Sequence, residues 1–144
     1  MKSLSLRFSE KFAPDTGTIE EHKNIIDKYG YVWYGKLGNA ISDKVKKEIL
    51  AEKESKVLLI HSGSVERYWA KISDIQKEQP DLKYVPEYYH DKASKIKAWI
   101  KITKIEVAEK DVMSKCIVVS SKNVLSQASK YSMNPCLFIE YEGE

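Results

Sequence analysis

Gly30-Tyr-Val-Trp-Tyr-Gly-Lys36, then Lys56-Val-Leu-Leu-Ile-His-Ser-Gly63, then Arg67-Tyr-Trp-Ala-Lys-Ile-Ser-Asp74 decide how this chain is read. The first run is aromatic and β-prone, which favours a strand over 31–36. The second is unbroken apolar from Val57 to Ile60, the pattern of a central strand. In the third, Tyr68, Ala70 and Ile72 alternate with Trp69, Lys71 and Ser73, so 67–75 reads as another strand. Between the first two, Ser42 can cap a helix over 43–53 whose buried edge is Val45, Ile49 and Leu50. Its other face carries Lys44, Lys46, Lys47, Glu48 and Lys53 and reads as a solvated surface, with a DNA-facing role as the alternative. Two strands around a short helix, followed at once by a third, make half of a small bent sheet or β-barrel with rings at its mouth.

The remaining segments extend this pattern. Leu4, Leu6 and Phe8 share one face of a half-buried strand over 3–8, with Ser5 and Arg7 opposite. Thr18 with Glu21 is a capping-box pattern ahead of an amphipathic helix over 19–29. Ile19, His22, Ile25, Ile26 and Tyr29 form its apolar stripe, and Gly30 fits its C-terminal cap. Residues 77–94 are polar and hold Pro80 and Pro86, together with Tyr84, Tyr88 and Tyr89. A loop of that length inside a domain is often functional. Ile96 to Val107 is a long alternating strand on which Trp99 falls among lysines. It therefore either covers a second small core or lies in a binding surface. Residues 116–119 and 136–141 are shorter strands, and Ser121 can cap a helix over 121–131. About seven strands and three helices without regular alternation predict an α+β fold: a small bent mixed sheet or barrel with flanking helices, in one domain over 1–144.

Composition narrows the function. With 144 residues the chain can bury a core without metal or disulfide staples. A 42% hydrophobic and 31% charged composition is that of a globular protein. The chain shows neither an apolar run of about 20 residues nor an apolar signal region at its start, so a cytoplasmic location is expected. A net charge of +3 permits nucleic-acid binding without requiring it. The Lys- and Glu-rich, Gln-poor composition is the direction hyperthermophile proteins take. Cys116 and Cys136 match no zinc spacing, and His22, His61 and His90 are scattered, so no metal or other cofactor is expected. There is no Gly-rich phosphate loop and no nucleophile elbow. His61 and Ser62 are neighbours on a strand and point to opposite faces. No catalytic residue is assigned.

What the chain has is rings: Trp33, Tyr34, Trp69, Tyr84, Tyr88, Tyr89 and Trp99. Taken singly, each is most simply core. Collected at one mouth, they could hold an extruded base by stacking, worth roughly 1–3 kcal/mol per base.

The order of these segments resembles the YTH and EVE domains of the PUA-like superfamily. The resemblance runs through the strand at Ser3 to Ser9, the helix with Asn24, and Gly30-Tyr-Val-Trp33-Tyr34. It continues through Asn39 and the next helix, Val57-Leu-Leu-Ile-His-Ser62, Arg67-Tyr-Trp-Ala-Lys-Ile, Tyr84-Val-Pro86 and Ile96-Lys-Ala-Trp99. It implies a non-catalytic reader of modified bases. In YTH domains the Trp at the Trp33 position is a wall of the cage for N6-methyladenine, and the next residue, here Tyr34, offers backbone groups to the base. A second cage ring comes from the loop of Tyr84, where the family often has tryptophan, and an Asn near Asn24 contacts the base edge. Asn39, Ser62 and Trp99 complete the candidate base-binding set. Such domains also serve as DNA-reading modules of McrB-type modification-dependent restriction systems, with a separate GTPase and nuclease as partners. The implied function is recognition of N6-methyladenine in DNA by base flipping. The alternatives are an RNA-binding PUA-like module, and a protein-interaction domain whose rings are all core.

Overall fold

Val32 and Tyr34 face one side of a strand while Trp33 and Gly35 face the other, and this alternation creates two of the three cores in the protein. The structure is a computed structural model that describes residues 1–132 and 134–143. Seven strands form one sheet: β1 (Lys2–Phe8), β2 (Val32–Lys36), β3 (Lys56–His61), β4 (Arg67–Gln76), β5 (Ala98–Val107), β6 (Cys116–Val118) and β7 (Cys136–Tyr141). Their order is β2-β5-β4-β3-β1-β7-β6. β1 and β3 are parallel, and every other pair is antiparallel.

The sheet is strongly curled. Leu6, Tyr34, Leu59, Ile72 and Ile100 come from five different strands, yet they meet in one inner core. Cys136 and Phe138 of β7 pack on that same core, although β7 and β2 lie far apart in the strand order. The sheet thus bends until its two sides face each other, without a ladder to close it. Register shifts in β4 at Lys71/Ile72 and Ile72/Asp74 supply part of the bend. Helices α1 (Thr18–Tyr29) and α2 (Asp43–Leu50) pack on this core through Ile19, Ile25, Ile26, Val45, Ile49 and Leu50. A second core on the convex face joins Leu58, Trp69, Ile139 and Tyr141 to Leu125 of α3 (Leu125–Tyr131).

Four local expectations are corrected. β1 is buried on both faces, because Ser3 and Ser5 are also inaccessible and the Ser3 hydroxyl donates to the Lys56 carbonyl at 2.7 Å. The capping box at Thr18 does not form: Gly17 is the N-cap, and the Glu10 carboxylate accepts from the Thr18 N–H at 3.1 and 3.2 Å. Glu21 instead accepts from the Thr16 hydroxyl. α3 begins at Leu125 rather than residue 121, because Val124 bridges Ile117 and holds the preceding residues in a turn. The loop expected over 77–94 instead holds two 3-10 segments, Leu82–Tyr84 and Glu87–Lys95, the second running one residue past it, and Tyr89 is buried.

Gly35 is the tight point between β2 and β5. A Cβ there would lie 2.5 Å from Ile96 Cδ1 and 3.1 Å from the Trp99 ring. Gly35→Ala should therefore cost about 1–3 kcal/mol, read by denaturant unfolding. Ile96→Val removes the offending methyl, so adding it should recover part of that loss; an additive double variant would refute the contact.

Candidate nucleic-acid interface

The outer face of the β2–β5 edge carries Trp33 and Trp99, and the segment after β4 folds back to cover them. Val85, Tyr89, Ala93 and Ile96 pack with both tryptophans into a third core. Trp99 is fully inaccessible, and its indole N–H has no acceptor among the described residues. Trp99 therefore covers a small core rather than a binding surface. Trp33 is 7% exposed. Trp69, in the convex core, is buried as well, so all three tryptophans have the burial that a purely structural role requires.

Around this core lies an accessible ring of tyrosines and lysines. Tyr31 and Tyr84 stack at 4.8 Å with planes 27° apart, and Tyr29 meets Tyr84 edge-on at 5.1 Å. Lys101 lies 4.2 Å from the Tyr31 ring centre and 6.0 Å from that of Trp33. Lys83 lies 4.9 Å from Tyr84 and 5.7 Å from Tyr29, and Lys28 lies 5.2 Å from Tyr29. Desolvation, then the neighbouring Tyr84 hydroxyl, pushes the Tyr31 phenol above its ordinary range. Each ammonium lies over an aromatic face, the geometry of a cation–π contact. Lysine charge and stacking faces together are what a nucleic-acid strand needs from a protein surface.

Behind β2, α1 brings a buried polar group to the inner face. The His22 ring lies 5.3 Å from Tyr34 and 6.3 Å from Tyr89. Its Nδ1 meets the Thr18 carbonyl at 2.7 Å, which fixes the proton on that nitrogen. Its Nε2 is buried without a partner among the described residues, and the buried Thr18 and Tyr88 hydroxyls have only each other and Tyr89 within reach. Burial raises the phenols of Tyr34, Tyr88 and Tyr89.

Of the residues singled out from the sequence, Trp33, Tyr84 and Trp99 share the third core. The Tyr34 side chain faces the opposite way, into the inner core. Asn24 is exposed on α1. Asn39 is exposed in the turn after β2, where its carbonyl accepts from Lys36 at 2.6 Å. Ser62 is exposed in the β3–β4 turn, and its N–H donates to Phe8 at 2.8 Å. Lys83, Lys101, Tyr29 and Tyr31 were not singled out as site residues; a tyrosine at either end of Gly30 was the available signal for two of them. Among the described residues no cluster of His, Cys, Asp or Glu could hold a metal, and no helix is long and apolar enough to cross a membrane.

Burial lowers the His22 pKa from 6.5 to about 4. The unfolded chain then binds a proton that the folded one refuses, so stability falls as pH drops from about 6.5 to about 4. The loss attributable to this residue is on the order of 3 kcal/mol. His22→Gln should flatten that limb of the stability curve, and an unchanged acid limb would remove His22 as its origin.

No curated protein and no solved structure matches the chain. A family model described as Pua-like matches residues 4–137, from β1 to the second residue of β7. The bent mixed sheet with its flanking helices agrees with that match, and this chain belongs to the Pua-like family.

Proposed function

We propose that the chain is a non-catalytic reader of a modified base in nucleic acid, which it takes out of the stack and holds against Trp33. The base we assign is N6-methyladenine in DNA, and the setting is the specificity module of a modification-dependent restriction system whose GTPase and nuclease are separate. Family membership supports nucleic-acid or modified-base recognition in general, by a binding module rather than an enzyme. The observation that carries the finer reading is that Trp33 and Tyr84, far apart in sequence, share one core beneath a rim of lysines.

The energetics support a site that opens on binding. Tyr84 lies on a turn held by local hydrogen bonds, Tyr84 N–H to Asp81 and Val85 N–H to Leu82, both 3.1 Å. Displacing such a turn breaks no ladder. The entering base gains stacking of roughly 1–3 kcal/mol, which offsets part of a flipping cost of a few kcal/mol. Lys28, Lys83 and Lys101 supply the phosphate contacts.

One observation favours a second reading. The accessible Tyr31–Tyr84 stack is a platform for unpaired bases, which RNA loops offer without flipping. An RNA-binding Pua-like module would use it directly.

Tryptophan emission should be titrated with short duplexes that carry adenine, N6-methyladenine, cytosine or 5-methylcytosine at one position. The expected result is quenching that is markedly tighter for N6-methyladenine and is lost in Trp33→Ala. Equal binding of all four duplexes would refute the base assignment. A requirement for 2′-hydroxyls would move the reading to RNA. No salt-sensitive binding to either nucleic acid would leave the rings as core for a protein-interaction domain.

A further inference from the structure

Two clefts open along the seam where β2 passes β1 and β7 without a ladder. One, of about 190 Å³, is walled by Phe8, Phe12, Tyr34 and Tyr89. The other, of about 390 Å³, runs past Leu4, Ile41 and Phe138. They meet at Lys36, Leu37, Pro135 and Cys136. Taken together they reach the size range of ligand pockets, roughly 300–1,000 Å³.

Lys36 is the unusual residue here. It shares the inner face with Tyr34, is 9% exposed, and is the one buried lysine among the described residues. Its ammonium donates to the carbonyls of Asn39 at 2.6 Å and Leu37 at 3.5 Å, and no described carboxylate pairs with it. A buried cation answered only by neutral carbonyls lacks the counter-ion that ordinarily offsets desolvation. Its charge is felt at the Cys136 thiol, which burial pushes up and Lys36 draws partly back. The outer lip is also cationic, because Lys92 and Lys11 lie 4.4 and 5.5 Å from the Phe12 ring centre.

We propose that this seam is a binding site for a single nucleotide, its base against Tyr34, Tyr89 and Phe12 and its phosphate on Lys36. Side chains two apart on a strand are separated by roughly 7 Å, which matches the reach from base to phosphate within one nucleotide. The aromatic walls supply stacking, and the ammonium supplies a charge-assisted hydrogen bond. The ligand is either a free nucleoside monophosphate or the phosphorylated end of a strand. This site lies on the opposite side of β2 from Trp33 and shares only Tyr89 with the Trp33 core; because its test reads Lys36 and Phe12, it can fail without the reading given for Trp33 failing.

The test is isothermal titration calorimetry with adenosine 5′-monophosphate, adenosine, inorganic phosphate, and one oligonucleotide with and without a 5′-phosphate. The monophosphate should bind saturably, with adenosine and inorganic phosphate each at least about tenfold weaker. Lys36→Met should weaken the monophosphate about tenfold, and Lys36→Arg should retain most of the binding. Phe12 is 46% exposed, so Phe12→Ala keeps the fold and should also weaken binding. The monophosphate should slow alkylation of Cys136 and leave Cys116, in the convex core, unaffected. Competition by the 5′-phosphorylated oligonucleotide alone of the two would identify a strand end; binding of the free monophosphate without it would identify a free nucleotide. Equal affinity for adenosine and its monophosphate would overturn the proposal. So would unchanged binding by both Lys36→Met and Phe12→Ala, or no saturable binding of any ligand.

Discussion

The two-faced packing of β2 is the constraint on which the rest of the structure depends. As an edge strand β2 has one ladder partner, β5. Its position is therefore fixed as much by side-chain burial as by hydrogen bonds. Val32 and Tyr34 fill the inner core, and Trp33 with Gly35 lies under the 3-10 segments. A slip of one residue would drive an indole into the inner core and the phenol under the 3-10 segments. Both cores would fail together, so the register is strongly specified even at an edge. Both proposed sites hang on that register: the Trp33 core and its lysine rim on one face, the Tyr34–Lys36 seam on the other.

Much of this fold is legible in the sequence because its strands keep period two. β3, β4, β5 and β7 are readable within a residue or two at each end, as are the starts of α1 and α2. What is not legible depends on partners distant in the chain. The hydroxyl of Thr18 matches a cap, yet Glu10, eight residues earlier, supplies it from a separate turn. Ser121 matches a cap too, but the bridge between Ile117 and Val124 and a positive φ of 65° at Lys122 make a turn there. Residues 82–95 have no helical or strand period because 3-10 segments are short, and tyrosine hydroxyls disguise an apolar cover as a polar loop.

The candidate site shows the same division. Trp33 is recognisable by its place after an apolar residue in an aromatic run, and its nearness to Tyr84 follows from the family pattern rather than from spacing. Parity correctly puts Trp99 with lysines on the outer face, but parity alone does not say whether anything covers that face. Lys36 is wholly illegible: a lysine after glycine and before leucine reads as exposed, and only the curl of the sheet buries it.

The departures from ordinary local chemistry are not scattered over the molecule. The convex core obeys the usual rules: the Tyr141 hydroxyl donates to Glu109 at 2.7 Å, and Lys56 lies over Trp69 at 4.4 Å. Among the described residues, the buried polar atoms without a well-formed hydrogen bond belong to Thr18, His22, Tyr88 and Trp99, all of which lie on α1, on β5 or in the covering segment beside β2. The buried lysine is on β2 itself. A fold that satisfies its polar groups elsewhere and leaves them open around one edge strand is carrying a cost there. Sequences that break local rules in one place tend to do so where function sets the terms. That concentration falls on the two faces of β2, where both proposed sites lie, rather than on α3 or the convex sheet.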